Sequence, residues 1–433
     1  MSVFDDVIIF THQYPYWLGP TAETYLEEEV RILAADADRV FVVAFEGFWD
    51  PNPPMRSGVP DNVVPVLLTE QQLACTESFL VRRAGQLRDV LSREFLADFS
   101  RLTSRARFRE FFRFLRLSGR IAELARSALF EIAPDVGRGR TLLYSFWFNE
   151  PARSAILLAD AIERRSGRRP VVISRAHGYD CYDFRSETGY LPCKGWMARR
   201  LERVLVCSDN GRQHLAARNP SVAETFEVGY LGTQWVDEKD VWLEAPCDGV
   251  VVTCSRMVPL KRLDRVARAL ALLRDRGHTF TWICIGDGET LPTVRALADE
   301  LGLHERVRFA GALTQKEIYA SYRARPASVF VNASETEGVP ISIMEAMSFG
   351  TPVVAASVGG NPEIVLNDTC GKLVPRDFSN TELADAIEFF LTDDHSDYRR
   401  AARAAWEQRF SATRNAELLI DEFGKLCDVR TRG

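Results

Sequence analysis

The sequence has no CxxC pair and no HxxxH pair, and its nine cysteines and six histidines are scattered over 433 residues. That spacing argues against a zinc site and against a disulfide framework. Cysteines set in apolar runs predict buried, reduced thiols. No stretch of about 18 uncharged apolar residues occurs, so no spanning helix is predicted. The first residues, MSVFDDVIIF, carry acids where a signal peptide carries a basic flank. They read as the first strand of a cytoplasmic protein. There is no short-period repeat and no low-complexity tract. A net charge of −6 makes nucleic acid an unsuitable partner.

What is present is an ordinary globular composition, 46% hydrophobic and 26% charged. The length exceeds one typical core and predicts two domains. VIIF (Val7–Phe10) and RVFVVAF (Arg39–Phe45) are buried strands flanking a helix in TAETYLEEEVRIL, which Thr21 or Thr24 could cap. Apolar strands without alternation predict a parallel sheet covered on both faces. TLLYSFWF (Thr141–Phe148), VVISRAH (Val171–His177) and RVLVCS (Arg203–Ser208) continue it. Ser208 is an expected N-cap.

Gly19 lies in the loop after the first strand, where backbone can approach a phosphate, or where Gly19-Pro20 is only a turn. His177 ends its strand and either faces a ligand crevice or is buried and bonded to backbone. From Arg82 to Arg126 there are twelve arginines against five acids. On a helical wheel Arg105, Arg109, Arg113, Arg116 and Arg120 share one face, beside Phe108, Phe111, Phe112 and Leu115. Such a helix suits an anionic membrane surface, or packs its aromatics on the sheet and solvates its arginines.

The linker is expected around Tyr230–Gly249. The second domain repeats the strand–helix grammar from Val250–Ser255 to Gly371–Val374. Arg256 and Lys261 follow its first strand and together suit a diphosphate. Gly286 and Gly288 make a sharp turn in IGDG whose backbone can line a nucleotide, or which is only structural. The densest stretch is EGVPISIMEAMSFGTPVVAASVGGNPEIV. Pro340 opens a short helix and Gly350 closes it. Glu337 precedes that helix and Glu345 lies inside it, at two depths along one ligand. Each carboxylate can accept hydrogen bonds from vicinal hydroxyls, such as those of a nucleotide-sugar.

These residues resemble a retaining glycosyltransferase of the GT-B fold, in the large family 4 of sugar transferases. The resemblance is strongest over about 245–400, in the E-x7-E element and in Val358 to Val365. In the first half, SRAHGYDCYDFR, YSFWFNEPARSAIL and ETYLEEEV resemble the capsular and exopolysaccharide branch. The resemblance implies an α/β chain of two doubly wound Rossmann-like domains facing across a cleft. The expected domains are 1–240 for the acceptor, with a basic helical insertion at about 70–130, and 245–405 for the donor. Residues 406–433 form a helix expected to cross back to the first domain.

It further implies that Glu337 contacts the donor hexose, Glu345 the ribose hydroxyls, and Arg256 with Lys261 the diphosphate. His177 falls near the transferred sugar. Gly19, Gly286, Gly288, Gly338, Val339 and Pro340 complete the implied donor set. Two departures stand out: one glycine in the first loop where many members have two, and Val339 where many have an aromatic. The implied reaction moves a hexose-type sugar from a nucleotide-sugar to a glycan or lipid-linked acceptor, with retention and without metal or cofactor. Polysaccharide biosynthesis at the inner membrane face is the expected setting. Donor epimerisation or hydrolysis on the same fold, and an inactive nucleotide-sugar-binding protein, are the alternatives.

Overall fold

Each apolar run becomes a parallel strand, and the strands fall into two sheets. The computed structural model describes residues 2–17, 24–74, 93–244 and 249–432. They form two units, Met1–Gly229 with Ala416–Gly433, and Tyr230–Asn415. Gly19 and Thr21 lie outside the described residues, as does part of the arginine-rich segment.

Unit 1 holds β1 (Phe4–Thr11), β2 (Ala37–Ala44), β3 (Val63–Leu67), β4 (Thr141–Ser145), β5 (Val171–Ala176), β6 (Arg203–Val206) and β7 (Phe226–Val228). Their order is β3-β2-β1-β4-β5-β6-β7, all parallel. The order reverses between β1 and β4, which is where such sheets bind ligands. Ile8, Phe10, Val43 and Leu143 are fully buried, as a sheet covered on both faces requires. Ser208 caps the helix Asp209–Arg218 by accepting from Gly211 N at 2.9 Å.

The basic segment contains a 28-residue helix, Arg105–Ile132. Arg105, Arg109, Arg113 and Arg116 are exposed along it. Phe111 and Leu115 are buried in the unit's core, and Phe108 and Phe112 pack against that core. The aromatics therefore serve the core, while Arg105, Arg109, Arg113 and Arg116 face solvent and Arg120 is half-buried with a bond to Gln72 O. One buried ion pair ties the first helix, Thr24–Ala35, to the sheet: Arg175 of β5 meets Glu29, and the Tyr144 hydroxyl bridges them.

Unit 2 holds β8 (Val250–Cys254), β9 (Thr281–Ile285), β10 (Val307–Gly311), β11 (Val329–Asn332), β12 (Val353–Ala356) and β13 (Gly371–Val374). The order β10-β9-β8-β11-β12-β13 reverses between β8 and β11. The segment expected as a linker is held inside this unit. Thr233 N donates to Phe410 O at 2.9 Å and Arg403 to Val236 O at 2.7 Å. The boundary thus falls at Gly229/Tyr230, and the helix Ser396–Arg409 stays in unit 2. The last helix, Ala412–Arg432, groups with unit 1 from Ala416 onward. Its Ile420, Phe423 and Cys427 are buried.

Candidate functional site

The loops leaving β8 and β11 at the reversal point of unit 2 are stitched together by backbone. Glu335 N donates to Leu260 O at 2.8 Å. Arg262, in left-handed conformation at φ 49°, donates to Ala333 O at 2.6 Å and to Ser334 O at 2.7 Å. This brings Lys261 against Glu337, with Nζ to Oε1 at 2.6 Å and both side chains largely buried. The same Oε1 accepts from Asn332 Nδ2 at 3.1 Å. Asn361 is fully buried, and its Nδ2 donates to Asn332 Oδ1 and to Ala356 O. Arg256 is exposed, and its side chain has no partner among the described residues.

Two glycine turns make this geometry possible. A Cβ on Gly359 (φ 52°) would lie 2.0 Å from Glu337 O, and one on Gly360 2.2 Å from Gly338 O. Gly360 N donates to Gly338 O at 2.8 Å. The V-G-G-N-P run is thus a backbone rest for the Glu337 loop. Gly286 does the same for the loop after β8, since its Cβ would fall 1.8 Å from Ser255 O. Gly288 packs similarly on Met257 O. Among these contacts the IGDG glycines serve close packing of the Arg256 loop.

Pro340 precedes the helix Ile341–Ser348, and Gly350 follows it at φ 73°. Glu345 projects from this helix into a buried setting where Gln315 Nε2 donates to it at 3.1 Å. Burial pushes its pKa up to about 7, and the Gln315 bond opposes that shift. Val339 is buried. Lys261, Glu337, Glu345, Gly338, Val339 and Pro340 therefore share one region of unit 2. Gln315, Asn332, Asn361 and Arg262 were not singled out by sequence. The one available signal was the asparagine ending the strand run VFVNAS.

In unit 1, His177 follows β5 and is 8% exposed. Its Nε2 sits 2.8 Å from Phe146 O, so that nitrogen carries the proton and donates to backbone. The ring lies against Phe146 and Trp147, with centroids at 4.7 and 4.4 Å. Burial lowers its pKa, which favours the neutral imidazole. Asp180 accepts from His177 N and Phe148 N, each at 2.8 Å, and so joins the loops after β4 and β5. The contact to backbone is the structural alternative weighed for His177.

Comparison with known proteins points one way. Residues 237–426 match the family described as "Glycosyl transferases group 1". A GDP-mannose-dependent alpha-(1-6)-phosphatidylinositol monomannoside mannosyltransferase of Mycolicibacterium smegmatis is 32% identical over 302 residues, spanning 63% of this chain and 75% of the relative. A D-inositol 3-phosphate glycosyltransferase of Corynebacterium glutamicum is 35% identical over 166 residues, 37% of this chain and 39% of the relative. The crystal structure of Anabaena HepE with UDP and glucose superposes with a TM-score of 0.65 at 17% identity, covering 96% of this chain and 98% of that one.

Proposed function

The chain belongs to the glycosyl transferases group 1 family, with the GT-B fold, and on that premise we propose that it moves a hexose-type sugar from a nucleotide-sugar to a saccharide acceptor with retention of configuration. The observation that carries this reading is the Lys261–Glu337 contact at the reversal point of unit 2, beside the buried Glu345. Glu345 accepts from the ribose hydroxyls and Glu337 from the sugar. Lys261 and Arg256 stabilise the charge of the departing diphosphate, and the helix opening at Ile341 adds N–H groups near Glu337. The acceptor hydroxyl attacks from the face the diphosphate leaves, and the leaving phosphate takes its proton. Within unit 2, Gly286 and Gly288 hold the Arg256 loop of this proposed site; for unit 1 the resemblance implies roles for His177 and Gly19. No metal enters this scheme.

Donor identity is open to a direct test with GDP-mannose, UDP-glucose and UDP-galactose, using thermal stabilisation to find the binder. Transfer with the binding donor is expected to persist in EDTA and to fall about 100-fold or more in Glu337→Ala. Epimerised donor in the absence of any acceptor would sink the transferase reading.

We assign the acceptor to a glycan or lipid-linked saccharide in polysaccharide or glycolipid assembly, reached from the inner membrane face. The exposed row Arg105, Arg109, Arg113 and Arg116 supports peripheral contact with anionic lipid. So do exposed Leu96 and Phe99, a few residues upstream. Replacing the four arginines by serine is expected to abolish sedimentation with phosphatidylglycerol-containing liposomes. Unchanged sedimentation refutes the membrane role.

A further inference from the structure

At the reversal point of unit 1, the loops after β1, β2, β4 and β5, with the helices Glu70–Leu73 and Arg105–Ile132, line an open cavity of about 370 Å³. His12, Phe45 and Tyr179 are its aromatic lining, and Trp147 backs His12 and Tyr179 without lining the cavity itself. His12, just after β1, stacks on Trp147, after β4, with centroids 5.1 Å apart and planes 8° from parallel. Tyr179, after β5, lies against both rings at 6.3 and 4.9 Å. Its walls carry three carboxylates, Glu46, Glu70 and Glu150. Glu46 faces His12 Nδ1 at 3.2 Å, and Glu70 accepts from Gly47 N at 3.0 Å. Arg113 alone among the lining residues is a lysine or arginine, and it stands 4.0 Å from Glu150. Asn149 also lines the cavity, and its buried Oδ1 has no hydrogen-bond partner among the described residues.

Each feature names a property of the occupant. Flat ring faces cover the C–H face of a pyranose or cyclitol. Carboxylates and an amide oxygen accept hydrogen bonds from hydroxyls and offer nothing to an anion. Three carboxylates against one guanidinium repel a phosphate. We propose that this cavity seats the acceptor and takes an uncharged saccharide or polyol ring while rejecting phosphorylated ones. The word acceptor rests on the glycosyltransferase reading, and the preference for a neutral ring rests on the cavity. The inference separates this chain from its relative named for inositol 3-phosphate.

Saturation-transfer NMR on the full chain tests it with methyl α-mannopyranoside and myo-inositol against mannose 6-phosphate and myo-inositol 1-phosphate. The neutral pair is expected to bind at least tenfold more tightly. In Glu46→Gln/Glu150→Gln, neutral ligands are expected to weaken about fivefold and the discrimination to collapse. Tighter binding of the phosphates by the wild type overturns the proposal. Absence of neutral binding does so too, as does unchanged discrimination in the double variant. The wild-type panel decides even where the variant fails to fold. Thermal shifts with nucleotide-sugars are read separately. If they are absent while the neutral rings bind, the transferase reading falls and the cavity's preference stands.

Discussion

Glu345 is a carboxylate whose surroundings resist its charge. Its folded pKa of about 7 lies above the ordinary value of 4.5. The contribution to stability is therefore present in full below pH 4.5 and lost as pH rises through 7. Relative to the wild type, Glu345→Gln should gain melting temperature progressively from pH 5 to pH 8. The proposed contact with the ribose requires the opposite state, because the ionised carboxylate is the better acceptor. Wild-type donor affinity is expected to fall as pH drops below 7. Glu345→Gln should bind donor about tenfold or more weakly, with a flat pH profile. Titration calorimetry at pH 6 and pH 8 checks both, and a pH-independent wild type rejects the assignment. That Glu337, Glu345 and Lys261 deserved notice was legible because charges at loop and helix starts stand out in a parallel α/β pattern, and the structure brings Lys261 and Glu337 into contact. Asn332, Gln315 and Asn361 were not, since neutral amides leave no mark in spacing or periodicity. Arg262 sits next to Lys261, and only tertiary contacts show that it staples the two loops.

Among the elements, the short helix Ile341–Ser348 depends on what its flanking loop rests upon. Gly359 packs its α-carbon on the Glu337 carbonyl in left-handed conformation. Gly359→Ala adds steric conflict with backbone to an unfavourable φ. It should cost about 2 kcal/mol or more. Urea unfolding measures that cost, and loss of the donor-induced thermal shift reports the displaced Glu337. An alanine variant with unchanged midpoint and shift would contradict the clamp. Buried strands such as Val250–Cys254 were legible from their apolar runs. β3 was not, because Pro65 interrupts VVPVL; its place at the sheet edge is what makes that proline tolerable. The arginine helix was legible as a helix. Which face its phenylalanines serve depended on a sheet that lies elsewhere in the chain.

Among the described residues each unit has a large core of its own, so unfolding need not be a single transition. The last helix contributes buried Ile420, Phe423 and Cys427 to unit 1. Each such side chain is worth about 1.5–3 kcal/mol. Deleting residues 416–433 should lower the unfolding temperature of unit 1, and calorimetry of full-length and truncated chains tests this. An unmoved profile would show that the helix adds nothing. Two domains were legible from length alone. Their boundary was not, because the polar run after Tyr230 is tied down by Phe410 and Arg403, far along the chain.

The rest beneath Glu337 has one more consequence. Gly359 and Gly360 touch main chain, and main chain is the same whatever residue it belongs to. The loop's main chain therefore keeps its footing whatever its own side chains are, while Lys261 and Asn332 hold the carboxylate itself. The two glycines are the invariant to look for when sorting relatives that differ in the sugar they handle.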